Sequence, residues 1–440
     1  MTADAGARLA NRILIGLVIG ALAGGVTLLV GDFSPGFLEG AREFATFVLD
    51  PLGQVFLRML FFVVIPLVFA SLAMGVAQLE HLSTLGPLAV RTFVLFFVNM
   101  AIAVTLGLVM MNVLEPGHAM APEAREQLLR EYGGEAAQQV AKRAEQPDVT
   151  PMAIVEMFMP RNLFGAFVGN DRNRLGDVLP LILFAILVGA AAVKLREEQR
   201  EQLRSGLGLV NELMTGIVHF ALRLAPYAVP AMIFSVVVKI GWDIVIALGM
   251  FVAGCILVML LHLFGTMSLW IRLLARRNPL ETFKLMRPVL VTAFSTSSSA
   301  ATLPTALAVA REDLGVRAPV AGFVLPLGTT MNMSGTALFE GCVVLFVAQV
   351  FGIELGFAQQ ATLVLLAVLS AVAVSAIPGG ALPLLAGLLA AFGMPPEGIG
   401  IILGVERLLD MTRTMVNVGS DVVTTLVVDR LTKLDGEAAR

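Results

Sequence analysis

The chain has 440 residues, of which 57% are hydrophobic and only 14% charged, against about 25% charged and about 45–50% apolar in soluble domains. That apolar excess needs a bilayer, which excludes a soluble globular protein, and no nucleic-acid partner is expected. The net charge of −3 says little, because in a membrane chain the placement of charge carries the information.

In chain order, the apolar runs Ile13–Val30, Phe93–Leu114, Val178–Val193 and Ile244–Trp270 reach or approach the roughly 20 residues that cross a hydrocarbon core. The first lacks a small-residue cleavage site behind a short apolar core and reads as a retained span. The segment after it carries Asp32, Glu39, Glu43 and Asp50 against Arg42 alone, so it is expected outside. Residues 115–150 are the one long polar stretch, with a helix-forming run at Pro122–Arg130, and read as a solvated external loop. Basic residues gather before the first span (Arg8, Arg12), after a later one (Lys194, Arg196, Arg200, Arg204) and at Arg272, Arg276, Arg277, Lys284 and Arg287. These groups are expected in the cytoplasm, with both termini. Cys255 and Cys342 lie in apolar stretches and read as buried small hydrophobes. His81, His118, His219 and His262 lack metal-ligand spacing.

Two segments of the last third interrupt simple spanning helices with small residues and proline. One runs from Phe294 to Pro304 through Ser297, Ser298 and Ser299; the other runs from Val374 to Pro383 through Ile377, Pro378, Gly379 and Gly380. Backbone that leaves the helix at membrane depth must satisfy its polar groups against protein, water or ligand, and paired interrupted segments point to a transporter's binding site. Between them an apolar helix is broken at Asn332–Thr336, where Asn, Ser, Gly and Thr favour an unwound turn that offers carbonyl oxygens to a hard cation. The bland alternative at each place is a kinked span whose polar groups bond internally.

The last span carries a polar stripe. At about 100° per residue, Asp410, Arg413, Thr414, Asn417 and Asp421 fall within roughly 100° of one another, and Glu406 shares that face. Leu409, Met411, Met415, Val416 and Val418 between them are apolar. Facing lipid, Asp410, Arg413 and Asp421 together would cost about 8–10 kcal/mol, so they must face the protein interior. A purely internal ion-pair network there would stabilise inefficiently. A zwitterion with a second carboxylate would instead meet an anion for its ammonium in Asp410 and a two-pronged guanidinium in Arg413. Asn417 and Thr414 supply further donors. Asp421 is then left as a cation ligand.

Taken together, the serine-rich Ser297–Pro304 segment, the Asn332–Thr336 break, the Pro378-Gly379-Gly380 tip and Leu409–Val418 resemble, in order, the glutamate/aspartate and dicarboxylate cation symporter family. The resemblance implies an all-α polytopic membrane protein with eight transmembrane helices and two re-entrant helical hairpins, assembled as a homotrimer in the inner membrane. It implies a scaffold from residues 13–79 and 160–222. A transport domain would come from residues 88–114 and 226–433, with hairpins at about 280–310 and 359–391.

By position, Asp410 would take the substrate ammonium and Arg413 with Thr336 the side-chain carboxylate. Asn417 with Ser298 and Ser299 would take the main-chain carboxylate, and Thr414 and the Ile377-Pro378-Gly379 tip would adjoin the substrate. Asp410 favours an amino acid over a simple dicarboxylate. The resemblance implies sodium ions or protons as coupling ions and no cofactor. One cation would sit on Gly328, Asn332, Asn417 and Asp421, and a second on oxygens near Thr330 and Met333. A third family site is eroded, because Ser334 stands where an aspartate is usual and Phe97, Met100 and Ala101 lack its hydroxyls. Fewer sodium ions per substrate are therefore expected, or a proton in place of one, and Glu340 matches a glutamate of proton-coupled relatives.

A C4-dicarboxylate symporter of the same fold and an ion channel are the competing readings, although a channel needs filter residues along one continuous pore. An enzyme is disfavoured, since no H-E-x-x-H or G-x-S-x-G motif occurs and no histidine lies near the stripe.

Overall fold

The computed structural model describes residues 3–77, 87–119, 159, 161–168, 178–374, 381–394 and 398–432, and every regular element among them is helical. In chain order these are α1 (Ala3–Gly31), α2 (Pro35–Phe44), α3 (Asp50–Phe62), α4 (Val64–Ala77), α5 (Pro87–Leu114), α6 (Leu163–Val168), α7 (Val178–Ala192) and α8 (Glu197–Ile240). They continue as α9 (Trp242–Leu261), α10 (Pro279–Thr296), α11 (Ser299–Ala308), α12 (Ala318–Met331), α13 (Ser334–Phe351), α14 (Phe357–Ala373), α15 (Leu382–Ala391) and α16 (Ile399–Leu431). Beyond Ala119, the polar loop expected over 115–150 lies outside the described residues. Its first turn, Pro116–Ala119, is anchored by Gly117 N donating to Gln349 Oε1 at 3.2 Å.

Among the described residues, three helical runs are long and apolar enough to cross a membrane: Leu88–Ala119, Ile244–Leu274 and Ala318–Phe351. Their surroundings differ. In the first two, 39% of the apolar window is buried, which leaves a face for lipid, whereas the apolar window of the third is wholly buried. Every residue of α13 is enclosed, with α5, α9, α14 and α16 packed around it. Hydropathy alone does not separate a helix that faces acyl chains from one that faces other helices, because both demand apolar side chains.

A second group of helices is built on α8, which packs against α1, α3 and α4, while α7 packs on α4. Gly16, Gly20 and Gly24, spaced by four on α1, meet Pro230 and Val237 of α8. A methyl group at Gly20 would lie 2.5 Å from the Pro230 carbonyl oxygen. Small residues at this spacing let two backbones approach, which is the main source of helix attraction where lipid removes the hydrophobic drive. α8 runs unbroken through Pro226 and Pro230, so the change of domain expected between residues 222 and 226 falls inside one continuous helix. The far end of α8 is tied to α3, because Lys239 Nζ and Ser235 Oγ donate to the Asp50 carboxylate at 2.7 and 2.6 Å.

The last third supplies the walls of a central site. α10 starts on Asn278, whose side chain accepts from Leu280 N at 3.0 Å, with Pro279 in the first turn. It ends at Ser297, and α11 restarts from Ser298, whose hydroxyl accepts from Ala301 N at 3.2 Å. The two helices pack on each other as a pair. α12 ends at Asn332 and α13 begins at Ser334, so the unwound break spans Asn332 and Met333 alone. Ser334, Gly335 and Thr336, expected in the break, already form the first turn of α13. The carboxyl end of α16 is held by a donor from α5 and one from the residue that precedes α12: Arg91 Nη1 to the Leu431 carbonyl at 2.5 Å and Arg317 Nη2 to the Thr432 carbonyl at 2.6 Å. Cationic donors at that end satisfy the last carbonyls and the helix dipole together.

Gly20→Ala should lower the thermal unfolding midpoint of the purified protein, with an overpacking cost of about 1–3 kcal/mol. Gly36→Ala, whose new methyl meets nothing within 4 Å, should not lower it.

Candidate functional site

The polar stripe of α16 faces inward, as its cost in lipid requires. Glu406, Asp410, Arg413, Thr414, Asn417 and Asp421 are all less than one-tenth exposed, packed against α10, α12 and α13. Arg413 Nη2 donates to Asp410 one turn before it and to Glu406 Oε1 at 3.2 Å. The guanidinium also lies 4.8 Å from the centre of the Phe339 ring. Its other terminal nitrogen, Nη1, is buried with no hydrogen-bond partner among the described residues.

Asn417 closes a second junction. Its Oδ1 accepts from Gly335 N at 2.8 Å and Thr336 N at 3.2 Å, while its Nδ2 donates to Thr336 Oγ1 at 3.1 Å. The opening N–H groups of α13 have no partner within their own helix, so a side chain from another helix caps them. This cap explains why the break is only two residues long. Close approach is possible because position 335 is glycine, where a methyl group would lie 2.5 Å from the Arg413 carbonyl oxygen.

A cavity open on one side is lined by Ser297, Ser299, Met333, Thr336, Val374, Ala381, Asp410, Arg413, Thr414 and Asn417. Of the substrate residues expected from the sequence, Ser299, Thr336, Asp410, Arg413, Thr414 and Asn417 therefore meet in one place. Ser298 is absent from the lining and serves as the cap of α11. Its neighbour Ser297 takes the lining position instead, in the left-handed region at φ 50, and its buried hydroxyl has no partner among the described residues. Left-handed backbone is uncommon for a residue with a side chain and turns the chain sharply between the two helices. Ile377, Pro378 and Gly379 lie outside the described residues; Val374 and Ala381, which flank that stretch, line the cavity.

Deeper along the stripe, Asp421 is buried and receives Asn332 Nδ2 at 2.9 Å. It lies against Gly328, where a methyl group would come within 2.6 Å of Oδ1. No basic side chain pairs with it among the described residues. Of the expected cation ligands, Gly328, Asn332 and Asp421 thus adjoin one another, and Met333 lines the cavity. The Asn417 carbonyl accepts the Ser420 hydroxyl at 2.8 Å. Thr330 is exposed, with its hydroxyl donated to the Leu327 carbonyl at 3.1 Å. Ser334 Oγ pairs with Ser420 Oγ at 2.9 Å. Glu340 is fully enclosed, with Oε1 accepting from Ser370 at 3.0 Å and Oε2 without a partner among the described residues.

The arrangement offers a buried cation and two anions beside a cavity, with two donors in its wall, Arg413 Nη1 and Ser297 Oγ, lacking acceptors among the described residues. Buried polar groups are paired in the great majority of cases, so two orphans in one cavity wall call for an external acceptor. A carboxylate is a chemically suitable acceptor for either donor.

The sequence matches the profile described as "Sodium:dicarboxylate symporter family" over residues 9–431. It is similar to "Proton/sodium-glutamate symport protein" of Bacillus subtilis, 30% identical over 430 residues, which cover 96% of this chain and 92% of the relative. It is similar to "C4-dicarboxylate transport protein" of Deinococcus radiodurans, 30% identical with 95% and 88% covered. It is also similar to "Excitatory amino acid transporter 3" of Homo sapiens, 28% identical with 88% and 79% covered.

Asn417→Ala should destabilise the protein whether or not solute is present, because two backbone N–H groups of α13 and the Thr336 hydroxyl lose their partner. A cost of about 1–3 kcal/mol per buried group left unpaired should appear as a lower unfolding midpoint in differential scanning fluorimetry.

Proposed function

The chain belongs to the sodium:dicarboxylate symporter family, a family of membrane transporters and not of enzymes, and from that premise we propose that it imports an acidic amino acid, aspartate or glutamate, with sodium ions or protons. The observation that carries this reading is the Arg413 guanidinium. It is buried beside the cavity, half engaged by Asp410 and Glu406, with Nη1 still lacking an acceptor among the described residues.

Substrate binding is an exchange of partners. The ammonium of the amino acid replaces Arg413 at Asp410, and the released guanidinium turns to the side-chain carboxylate with Thr336. The main-chain carboxylate meets Asn417 and the hydroxyls of Ser297 and Ser299. Each buried charge trades one opposite charge for another, so neither is left uncompensated at any occupancy. The Ile377-Pro378-Gly379 tip completes the enclosure in this reading. A neutral amino acid would leave Arg413 with no carboxylate to receive it, and a dicarboxylate without an amine would leave Asp410 with no cation.

Asp421 with Gly328, Asn332 and the Asn417 carbonyl forms the first cation site, and oxygens near Thr330 and Met333 contribute to a second. A serine at 334 bonded to Ser420 offers no charge for a third cation, and Glu340 is the carboxylate available to carry a proton in its place. The wider architecture proposed is eight spanning helices with two re-entrant hairpins, both termini in the cytoplasm, and three copies assembled in the inner membrane. In each copy a transport domain from residues 88–114 and 226–433 moves against a scaffold from residues 13–79 and 160–222. The packing of α1, α3, α4 and α7 around α8 supports the scaffold grouping, and it draws residues 226–240 of α8 into that group through Pro230, Ser235, Val237 and Lys239.

The second reading, a C4-dicarboxylate symporter, is favoured by the Deinococcus radiodurans relative and disfavoured by Asp410. Uptake of radiolabelled aspartate by the purified protein in liposomes, under separately imposed sodium and proton gradients, decides between them. Aspartate import indifferent to excess succinate supports amino-acid transport, and import abolished by succinate supports the second reading. Arg413→Cys should cut aspartate uptake on the order of a hundredfold or more, the equivalent of about 3–5 kcal/mol for a broken buried pair. It should also admit a small neutral amino acid. Unchanged aspartate affinity in that variant overturns the assignment. Reversal-potential measurements should give fewer than three sodium ions per aspartate, and a value of three would reject the loss of the third site.

A further inference from the structure

The helical run that starts with α9 ends at Leu274, and α10 begins at Pro279 after the turn 275–278. The two ends pack on each other and form a corner of the molecule. Between Trp270 and Val291 the sequence sets Arg272, Arg276, Arg277, Lys284 and Arg287 against Glu281 alone. The neighbouring turn Val309–Asp313, on which α10 also packs, adds Arg311, Glu312 and Asp313, so the corner stays net positive. Arg277 is spent on the turn itself: its Nη1 donates to the Leu314 carbonyl at 2.7 Å and its backbone N–H to the Ile271 carbonyl at 3.0 Å. Arg272, Arg276, Lys284 and Arg287 are exposed, and no carboxylate among the described residues pairs with them.

These cations are interleaved with bare apolar side chains. Leu269, Arg272 and Leu273 share one side of their helix, and Leu280, Lys284, Arg287 and Val291 share one side of α10 at intervals of three and four. Leu269, Leu273, Leu280 and Val291 are each more than half exposed, Leu280 to 81%. Neither solvent suits such a surface alone, because water leaves the leucines bare and hydrocarbon penalises the unpaired charges. The boundary between acyl chains and headgroups serves both within the length of one side chain.

We propose that this corner is a binding site for an anionic phospholipid, whose phosphate meets Arg272, Arg276, Lys284 and Arg287 while its acyl chains cover Leu269, Leu273, Leu280 and Val291. The excess of unpaired cations selects an anionic lipid over a zwitterionic one, which brings a cation of its own, and guanidinium groups grip phosphate in a two-pronged way. The other basic group, from Lys194 to Arg204, contrasts with it. Glu197, Glu198 and Glu201 are mixed among its cations, and Arg204 donates to Glu201 at 3.1 Å. From the proposed site α10 runs directly to Ser297 in the cavity wall, so a lipid held there fixes the outer end of one wall.

The test is thermal stabilisation of the full-length purified protein in a neutral detergent, titrated with dioctanoylphosphatidylglycerol. Dioctanoylphosphatidylcholine and glycerol 3-phosphate are titrated in parallel. Saturable stabilisation by the anionic lipid, with no response to the other two over the same range, supports the proposal. Each cation near an anionic headgroup contributes about a fivefold factor, so Arg276→Gln combined with Lys284→Gln should raise the half-saturating lipid concentration about 25-fold. Arg196→Gln combined with Arg204→Gln removes the same charge elsewhere and should leave it unchanged. If the first pair fails to fold, Arg272→Gln combined with Arg287→Gln carries the same expectation. Equal shifts in the site and control pairs reduce the effect to overall surface charge and overturn the proposal. Stabilisation by glycerol 3-phosphate or by the choline lipid at the same concentrations overturns it as well, the first as a site for soluble anions and the second as a greasy surface without headgroup choice.

Discussion

The whole arrangement depends on burying charges of both signs along one face of a single helix in a chain otherwise built for hydrocarbon. A bilayer penalises each of those groups separately, so α16 can exist at that depth only if other helices enclose its polar face. α10, α12 and α13 do so, and their own breaks fall where they meet the stripe. The interruptions at Ser297–Ser298 and Asn332–Met333 are thus the complement of the charges on α16. Polar backbone released at the breaks and polar side chains on the stripe satisfy each other in a volume that lipid does not reach.

Asn417 illustrates how closely fold and site are joined. It caps α13 through two backbone N–H groups while lining the cavity, so one side chain both holds the helix crossing and faces a solute. Arg413 is similarly shared between internal anions and the cavity. A site assembled from residues that also fix the packing is preorganised, because its groups have little freedom left to lose when a ligand arrives.

Much of this was legible in the residues. The stripe at Asp410, Arg413, Thr414, Asn417 and Asp421 announces itself, since helical periodicity and the cost of charge in lipid leave it one place to face. The breaks were visible in their serine, glycine and proline content. Their details were not. Whether Ser297 or Ser298 reaches the cavity depends on which of them takes the left-handed turn, and a run of serines does not reveal it. The break at Asn332 proved shorter than its composition suggested because its cap comes from Asn417, more than eighty residues away, and local propensity has no knowledge of such a partner. The enclosure of α13 was hidden because protein and acyl chains ask for the same apolar surface. Another signal was present and unused: the four-residue glycine spacing on α1 marks a close helix contact.

The full enclosure of α13 sets how the molecule senses its solvent. A helix that touches no acyl chain has no hydrophobic length to match, so changes in bilayer thickness act first on α5 and α9, which keep a lipid-facing side. The central helix follows only as its neighbours tilt. Membranes of different thickness should therefore alter how the outer helices lean while leaving the innermost polar junctions at nearly constant spacing, a form of mechanical insulation for the place where solute and ions meet.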